Sequence, residues 1–246
     1  MILFISSIAP ALIIMFLVYQ HDLKKEPIQM LVKAFFGGVL SILIALAIAL
    51  PLSYFEKLIA PGFARSFYTA FFCAGIPEEL GKWLIFYWLI RKAKDFDQYY
   101  DGILYAIFIS MGFALVENIM YVMSPGGGMG LATMRAILSV PGHMLFVIPM
   151  GYYLSISKFE EGKEAKRYQI LSLVIPMALH GTFDFILFYK DASQNVNPGL
   201  ASFLVLGFVA FDIYMWRLGL RKIKAHITKD KTFIYEENQN EESTID

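Results

Sequence analysis

The chain is poor in cysteine and in charged residues. Its single cysteine, Cys73, excludes an intramolecular disulfide. Charged residues make up 17% of the sequence and their formal net charge is zero, so the composition offers no basis for nucleic-acid binding. Hydrophobic residues make up 57% instead. This composition is typical of a polytopic membrane protein rather than of a soluble domain.

Several common signatures are also absent. No serine or cysteine stands at a recognisable spacing from a histidine, which argues against a nucleophilic hydrolase. The H-E-x-x-H pattern of zinc proteases does not occur. The sequence shows no repeated halves of the kind found in many transporters.

Apolar stretches long enough to cross a bilayer as helices recur along the chain. The seven predicted spans are residues 2–19, 34–52, 66–90, 103–123, 134–155, 169–189 and 199–218. We therefore predict an all-α fold, a polytopic membrane helix bundle of about seven transmembrane helices. Residues 1–220 form the membrane-embedded domain in this prediction, and residues 221–246 form a polar, partly disordered cytoplasmic tail.

The basic residues predict the orientation of the bundle. Sixteen lysines and arginines flank one set of connections and the segment after the last span, whereas four lie on the opposite side. Cytoplasmic segments carry the excess of basic residues in membrane proteins. We therefore expect the N-terminus outside and the C-terminus in the cytoplasm.

Ionisable side chains lie inside four consecutive spans, from the middle of the bilayer toward its predicted outer side. Each charge at the centre of a membrane helix costs roughly 2.5–3.5 kcal/mol on insertion scales. These polar residues are Glu78, Glu79 and Lys82 in the third span, Glu117 and Asn118 in the fourth, His143 in the fifth, and His180 and Asp184 in the sixth. We expect them to pair around one polar cavity.

Helical spacing predicts some of the pairs. Lys82 follows Glu78 by four residues and Glu79 by three, so its ammonium can reach either carboxylate. His180 and Asp184 are four apart, which lets the carboxylate orient the imidazole. Taken singly, each group also fits a structural ion pair or an interhelical hydrogen bond.

Proline precedes two of the polar positions. Pro77 comes directly before the two glutamates, and Pro141 comes two residues before His143. Because proline has no backbone N–H, we expect each to disturb the hydrogen bonding of its helix beside the cavity.

The polar residues resemble the motifs of a known family. Glu78-Glu79-Leu80-Gly81-Lys82 is similar to the E-E-x-x-K motif of the PrsW family, and the segment from Phe113 to Asn118 is similar to its F-x-x-x-E-N motif. His143 and the His180-x-x-x-Asp184 unit resemble the later histidine motifs. The resemblance runs from about residue 77 to residue 184.

PrsW-like proteins are intramembrane proteases of the CAAX-protease and bacteriocin-processing superfamily. The resemblance implies a multi-pass protein of the bacterial cytoplasmic membrane that acts in the first step of regulated proteolysis. Its partners would be the lipid bilayer and a single-span membrane protein, typically an anti-sigma factor, cut on the extracytoplasmic side. Lys82, Glu117 and Asp184 stand where the wider superfamily has an arginine one position later, a histidine and an asparagine, which fits the PrsW branch.

The residues suggest a metal-free mechanism in which a glutamate activates water. Glu79, or alternatively Glu78, would be the general base, and Lys82 would balance their charge. His143 and His180 would donate hydrogen bonds to the oxyanion or protonate the leaving amine. Supporting roles fall to the remaining residues: Asp184 would orient His180, Asn118 accompanies Glu117, and Glu117 would hold His143 or the water.

Three alternatives use the same residues. In a metal-dependent protease, zinc could be bound by Glu79, Glu117, His143 and His180. No cofactor is expected in the metal-free mechanism. A proton- or ion-coupled transporter also places carboxylates and histidines in the membrane. A non-catalytic, immunity-type protein could retain the fold.

Overall fold

The computed structural model describes residues 2–243 and contains helices and no strand within that range. The α-helices are α1 (Ile2–Gln20), α2 (Ile28–Glu56), α3 (Phe63–Tyr68), α4 (Ile76–Ile85), α5 (Tyr99–Met123), α6 (Met129–Met134), α7 (Val140–Phe159), α8 (Gly162–Ser193) and α9 (Pro198–Ser243). Three π-helical turns cover Thr69–Gly75, Phe86–Ile90 and Arg135–Ser139. The predicted all-α fold is confirmed.

Six helices of the described chain are long and apolar enough to cross a membrane. They are Ile2–Gln20, Ile28–Glu56, Tyr99–Met123, Met129–Phe159, Gly162–Ser193 and Pro198–Thr232. The remaining predicted span, the third one at residues 66–90, lies in the helical run 63–90, which carries Glu78, Glu79 and Lys82 and contains two of the π turns. The polytopic membrane bundle is therefore confirmed, whereas the orientation of its termini stays a prediction.

Helix α5 is the centre of the bundle. It packs against α1, α2 and α7, and sixteen of its 25 residues are buried. The outer helices instead expose large apolar side chains, such as Leu50 on α2 and Leu206 on α9. An apolar outer surface is what a bilayer requires, because lipid replaces water as the solvent there.

Helices α2 and α5 cross closely because glycine stands on both sides of the contact. A Cβ added at Gly38 of α2 would clash with the carbonyl oxygen of Ile109, and one added at Gly112 of α5 would clash with the carbonyl oxygen of Phe35. Small residues allow membrane helices to approach to backbone contact. The crossing fixes α2 against the centre of the bundle.

The last helix continues beyond its predicted span. Helix α9 extends to Ser243, and its polar part contacts the start of α5: both carboxylate oxygens of Asp230 accept from the backbone N–H groups of Tyr99 and Tyr100, each at 2.8 Å. The sequence predicts a polar, partly disordered tail from residue 221, and the structure has helix there through Ser243. Residues 244–246 lie outside the described range, and the division of the chain at residue 220 stays a prediction.

The glycine crossing can be tested by adding one methyl group. We expect Gly38→Ala to push α2 away from α5, since overpacking a close contact costs about 1–3 kcal/mol. The melting temperature of the detergent-solubilised protein should fall by several degrees. Gly207→Ala on α9 is the matched control, because a Cβ there has no neighbour within 4 Å. An unchanged melting temperature for Gly38→Ala would contradict the close crossing.

Candidate active site

Two helices of the site begin directly after a π-helical turn. The turn Thr69–Gly75 leads into α4, whose second residue is Pro77, and the turn Arg135–Ser139 leads into α7, whose second residue is Pro141. The hydrogen-bonding pattern therefore changes where the two prolines lack an N–H, as expected. Single π turns within helices are frequent at functional sites. Here they precede the polar residues of α4 and α7.

Glu79 is a completely buried carboxylate with two partners on one oxygen. Its Oε1 lies 2.7 Å from Lys82 Nζ and 2.9 Å from His180 Nδ1. Its Oε2 has no hydrogen-bond partner within the described chain. Glu79 therefore ties α4 to α8, and it is closed off from solvent.

Lys82 joins this pair to a second one. Its ammonium has no exposed surface and lies 3.2 Å from His143 Nδ1 and 3.8 Å from Glu78 Oε2. It also lies over the ring of Phe113, 4.3 Å from the centroid, in a cation–π contact. One buried cation thus contacts groups from α4, α5 and α7.

Glu117 receives two donors on one oxygen. Its Oε2 lies 2.8 Å from His143 Nε2 and 2.7 Å from Arg135 Nη2. Because His143 Nδ1 faces the Lys82 ammonium, which can only donate, we assign the imidazole proton to Nε2, from which it is donated to Glu117. Both nitrogens of His143 are therefore engaged.

His180 has one nitrogen fixed and the other facing carboxylates. Its Nδ1 faces Glu79, while its Nε2 lies 3.4 Å from Asp184 Oδ2 and 3.9 Å from Glu78 Oε2. Phe146 stacks on the imidazole with ring centroids 4.5 Å apart and planes 17° from parallel. The closest contact of the ring is with Glu79, and the stacked phenyl holds its plane.

A cavity of about 400 Å³ lies beside this network. Its polar lining comes from Glu78, Glu117, Arg135, His143, His180 and Asp184, together with Lys190 and Asp191. The side chain of Glu78 is 14% exposed, and its Oε2 makes no hydrogen bond to the residues that the structure describes. Of the two adjacent glutamates, Glu78 therefore faces the cavity and Glu79 does not.

Comparison with known proteins identifies the family. The profile described as PrsW family intramembrane metalloprotease matches residues 26–215, most of the chain. The chain belongs to the PrsW family. Similar relatives include the Protease PrsW of Bacillus subtilis, 35% identical over 220 residues (89% of this chain and 93% of the relative), and that of Clostridioides difficile, 33% identical over 240 residues (95% and 94%). No solved structure matches the chain.

Membership of the PrsW family settles the general activity. The protein is an intramembrane peptidase, and its membrane-spanning helices make it a multi-pass protein of the bacterial cell membrane. The transporter and the non-catalytic alternatives are therefore set aside. The motif resemblance seen in the sequence is confirmed.

All eight residues singled out in the sequence lie in one connected region of this PrsW-family structure. Seven of them contact one another or line the cavity, as described above. Asn118 lies beside them but has a different environment: its Nδ2 donates to the carbonyl oxygen of Ser7 on α1, and its Oδ1 accepts from Arg135 Nε. Their catalytic roles stay predictions.

Sequence reasoning missed Arg135. Arg135 is one of the four basic residues on the predicted outer side, and its guanidinium contacts both Glu117 and Asn118 and lies 4.3 Å from the ring centroid of Tyr121. A signal was available, because Arg135 lies within a predicted span. Phe146 was also missed, and its position three residues after His143 on α7 could have indicated a shared face.

The description of the PrsW family as a metalloprotease implies a metal ion, and three residues of the site could hold one. Glu78, His143 and His180 each offer a ligand atom, and these atoms lie within 4.8 Å of one another. Imidazole and carboxylate suit zinc. The group differs from the ligand set predicted from the sequence, since Glu79 and Glu117 serve instead as partners of the two histidines.

The arrangement nevertheless fits a metal poorly. The buried ammonium of Lys82 lies 3.2 Å from His143 Nδ1 and 3.8 Å from Glu78 Oε2, so a fixed positive charge already contacts two of the three ligands. The other nitrogen of His143 is bound to Glu117. A dication would have to displace these contacts against the repulsion of Lys82. The residues as arranged in this structure therefore do not fit a metal ion.

Arg135 gives a direct test of this geometry. We expect Arg135→Gln to lower cleavage of a membrane-protein substrate about ten- to hundredfold, because a charge-assisted hydrogen bond contributes about 1.5–3 kcal/mol and Glu117 would lose one. Arg135→Lys should restore part of the rate by keeping the charge.

The control for this variant is Arg167→Gln. Arg167 is an exposed arginine whose only ion pair among the described residues is with Glu164 on the same helix, at 3.6 Å, so its replacement should leave the rate unchanged. The rate is measured by immunoblot of a tagged substrate in membranes. Cleavage by Arg135→Gln at the wild-type rate would show that Glu117 does not need the guanidinium.

Proposed function

We propose that the protein is a glutamate-type intramembrane endopeptidase. The observation that carries the proposal is the contrast in exposure between its two adjacent glutamates: the side chain of Glu79 has no exposed surface, whereas that of Glu78 is 14% exposed and lines the cavity. A general base must reach the water that it activates. Glu78 meets this requirement, so we now favour it over Glu79, which the sequence alone had ranked first.

In the proposed reaction Glu78 accepts a proton from water while the water oxygen attacks the scissile carbonyl carbon. A tetrahedral oxyanion forms. The carbon–nitrogen bond then breaks as the amide nitrogen takes the proton from Glu78, which restores the carboxylate and releases an amine and a carboxylic acid. Proton transfers of this kind typically contribute 10²–10⁴-fold in rate.

His180 is the group best positioned to donate to the oxyanion, and it does so as the imidazolium because its Nδ1–H is already donated to Glu79. Its Nε2 faces the cavity side of the network, 3.9 Å from Glu78 Oε2, while its Nδ1 is held by Glu79. Both nitrogens of His143 are engaged, so we assign that residue to holding Glu117 rather than to donating directly. Donors fixed before the reaction stabilise developing charge without reorganisation.

The substrate in this proposal is a single-span membrane protein, of the anti-sigma factor class, cut on the extracytoplasmic side. The support is the resemblance of the four motifs to those of PrsW-like proteins, which typically cut such proteins. The polar residues also lie toward the predicted outer half of the bilayer. Cleavage there would be the first step of regulated proteolysis.

A metal-dependent protease is the second candidate. The observation in its favour is the short separation of ligand atoms in Glu78, His143 and His180, together with the description of the family as a metalloprotease. In that version Glu78, His143 and His180 would hold the metal, whose chemistry would be to lower the pKa of a bound water.

Two glutamine substitutions separate the roles of the glutamates. We expect Glu78→Gln to lower cleavage of a co-expressed, tagged anti-sigma factor by at least about a hundredfold, as for the loss of a general base. The protein should nearly keep its melting temperature, because Glu78 Oε2 makes no hydrogen bond in the described chain and its contacts with Lys82 and His180, at 3.8 and 3.9 Å, are long. Glu79→Gln should instead lower the melting temperature, since breaking a buried ion pair costs about 3–5 kcal/mol.

EDTA treatment of the purified protein distinguishes the two candidates. Cleavage that survives EDTA but not Glu78→Gln supports the glutamate mechanism. Loss of cleavage with EDTA, restored by added zinc, would move Glu78, His143 and His180 into a metal site. Full activity of Glu78→Gln would refute the assignment of the base.

A further inference from the structure

An apolar groove adjoins the polar cavity. It has a volume of about 370 Å³ and lies between α2, the π turn Thr69–Gly75 and α5. The groove and the cavity share lining residues, among them Ala74, Glu78 and Glu117. Glu78, which we assign as the general base, therefore lines both the groove and the polar cavity.

The groove begins where the close crossing of α2 and α5 ends. Gly38 and Gly112 hold the two helices at backbone contact. Beyond them, α2 lines the groove with Ile42, Ala45, Leu46 and Ala49, and α5 lines it with Phe113, Glu117, Met120 and Tyr121. The residues from α2 recur at three- and four-residue spacing, so they share one face of that helix.

The lining of the groove fits an apolar helix. On the α2 side it is entirely apolar, and Ala45 and Ala49 leave room for the backbone of another helix to approach. At the mouth, Met120 is 50% exposed. At the inner end lie the carboxylates of Glu78 and Glu117.

We propose that this groove receives the membrane-spanning helix of the substrate. The inference rests on the proposed function, because it takes Glu78 as the group to which the scissile bond must come. A bond within a membrane helix has to arrive through lipid, and the groove leads from an apolar mouth to that carboxylate. The cavity on the other side of Glu78 has Arg135, Asp184, Lys190 and Asp191 in its lining, which suits water rather than a substrate helix.

Photocrosslinking tests the position of the substrate. Benzoylphenylalanine is introduced at Met120, at the mouth of the groove, or at Leu206 on α9, which is 69% exposed and lies outside the groove. Both positions are exposed and apolar, so the fold should accept either change. The protein carries Glu78→Gln, and the partner is the tagged single-span protein that the wild type cuts.

We expect the yield of the crosslinked product with the substrate to be about tenfold higher for the probe at position 120 than for the probe at position 206. A tenfold ratio corresponds to a binding preference of about 1.4 kcal/mol. Equal or weaker crosslinking from position 120 would overturn the proposal, as would adducts there with lipid alone.

A second variant tests the groove through kinetics. Ala49→Trp fills the groove, whereas Ala210→Trp adds the same bulk to an exposed face of α9. We expect Ala49→Trp to raise the KM for the membrane substrate about tenfold and to weaken the adduct from position 120. Ala210→Trp should match the wild type. Wild-type kinetics for Ala49→Trp would contradict the proposal.

The two proposals fail in different ways. If Glu78→Gln still cuts but crosslinks from position 120, the base is misassigned and the groove stands. If Glu78→Gln abolishes cutting but position 120 gives no preferred adduct, the glutamate mechanism stands and the substrate approaches elsewhere.

Discussion

The ammonium of Lys82 is the constraint on which the site depends. It has no exposed surface in a segment that is predicted to cross the membrane, where an unpaired charge is costly. It is stabilised by Glu79 and His143, which contact it from α4 and α7, and by the ring of Phe113, which lies over it from α5. Glu78 adds a longer ion pair at 3.8 Å. Glu79 in turn holds His180 of α8. The four helices that contribute the polar residues are thus fixed relative to one another by a single chain of buried contacts.

This arrangement explains why two adjacent glutamates are not equivalent. Successive residues point about 100° apart around an α-helix. Because Gly81 packs against the backbone of α2, the rotation of α4 is set, and Glu79 is directed into the network while Glu78 faces the cavity. Glu79 balances the buried cation at 2.7 Å, whereas Glu78 lies 3.8 Å from it and is partly exposed to the cavity. A site that needs both a rigid framework and a reactive base can obtain the two from consecutive positions.

Much of the fold and the composition of the site could be predicted because the bilayer permits few solutions. Length and hydropathy indicate the spans, and the cost of buried charge indicates that the polar residues must meet. The partners of Arg135 could not be predicted in this way, because Glu117 and Asn118 lie on a different helix, 17 or 18 residues earlier in the chain. The helical continuation of α9 was missed for the same reason. Its contact between Asp230 and the start of α5 joins residues about 130 positions apart, and no local pattern indicates it.

The same glycines that pack the bundle also shape its access to lipid. A backbone contact between α2 and α5 at Gly38 and Gly112 brings the two helices as close as they can come. Larger residues such as Phe113 and Tyr121 follow on α5, and there the space between the helices becomes the groove. Bulk at either glycine would therefore alter the crossing and the groove together. The packing of the bundle and the proposed path of the substrate therefore depend on one helix crossing, at Gly38 and Gly112.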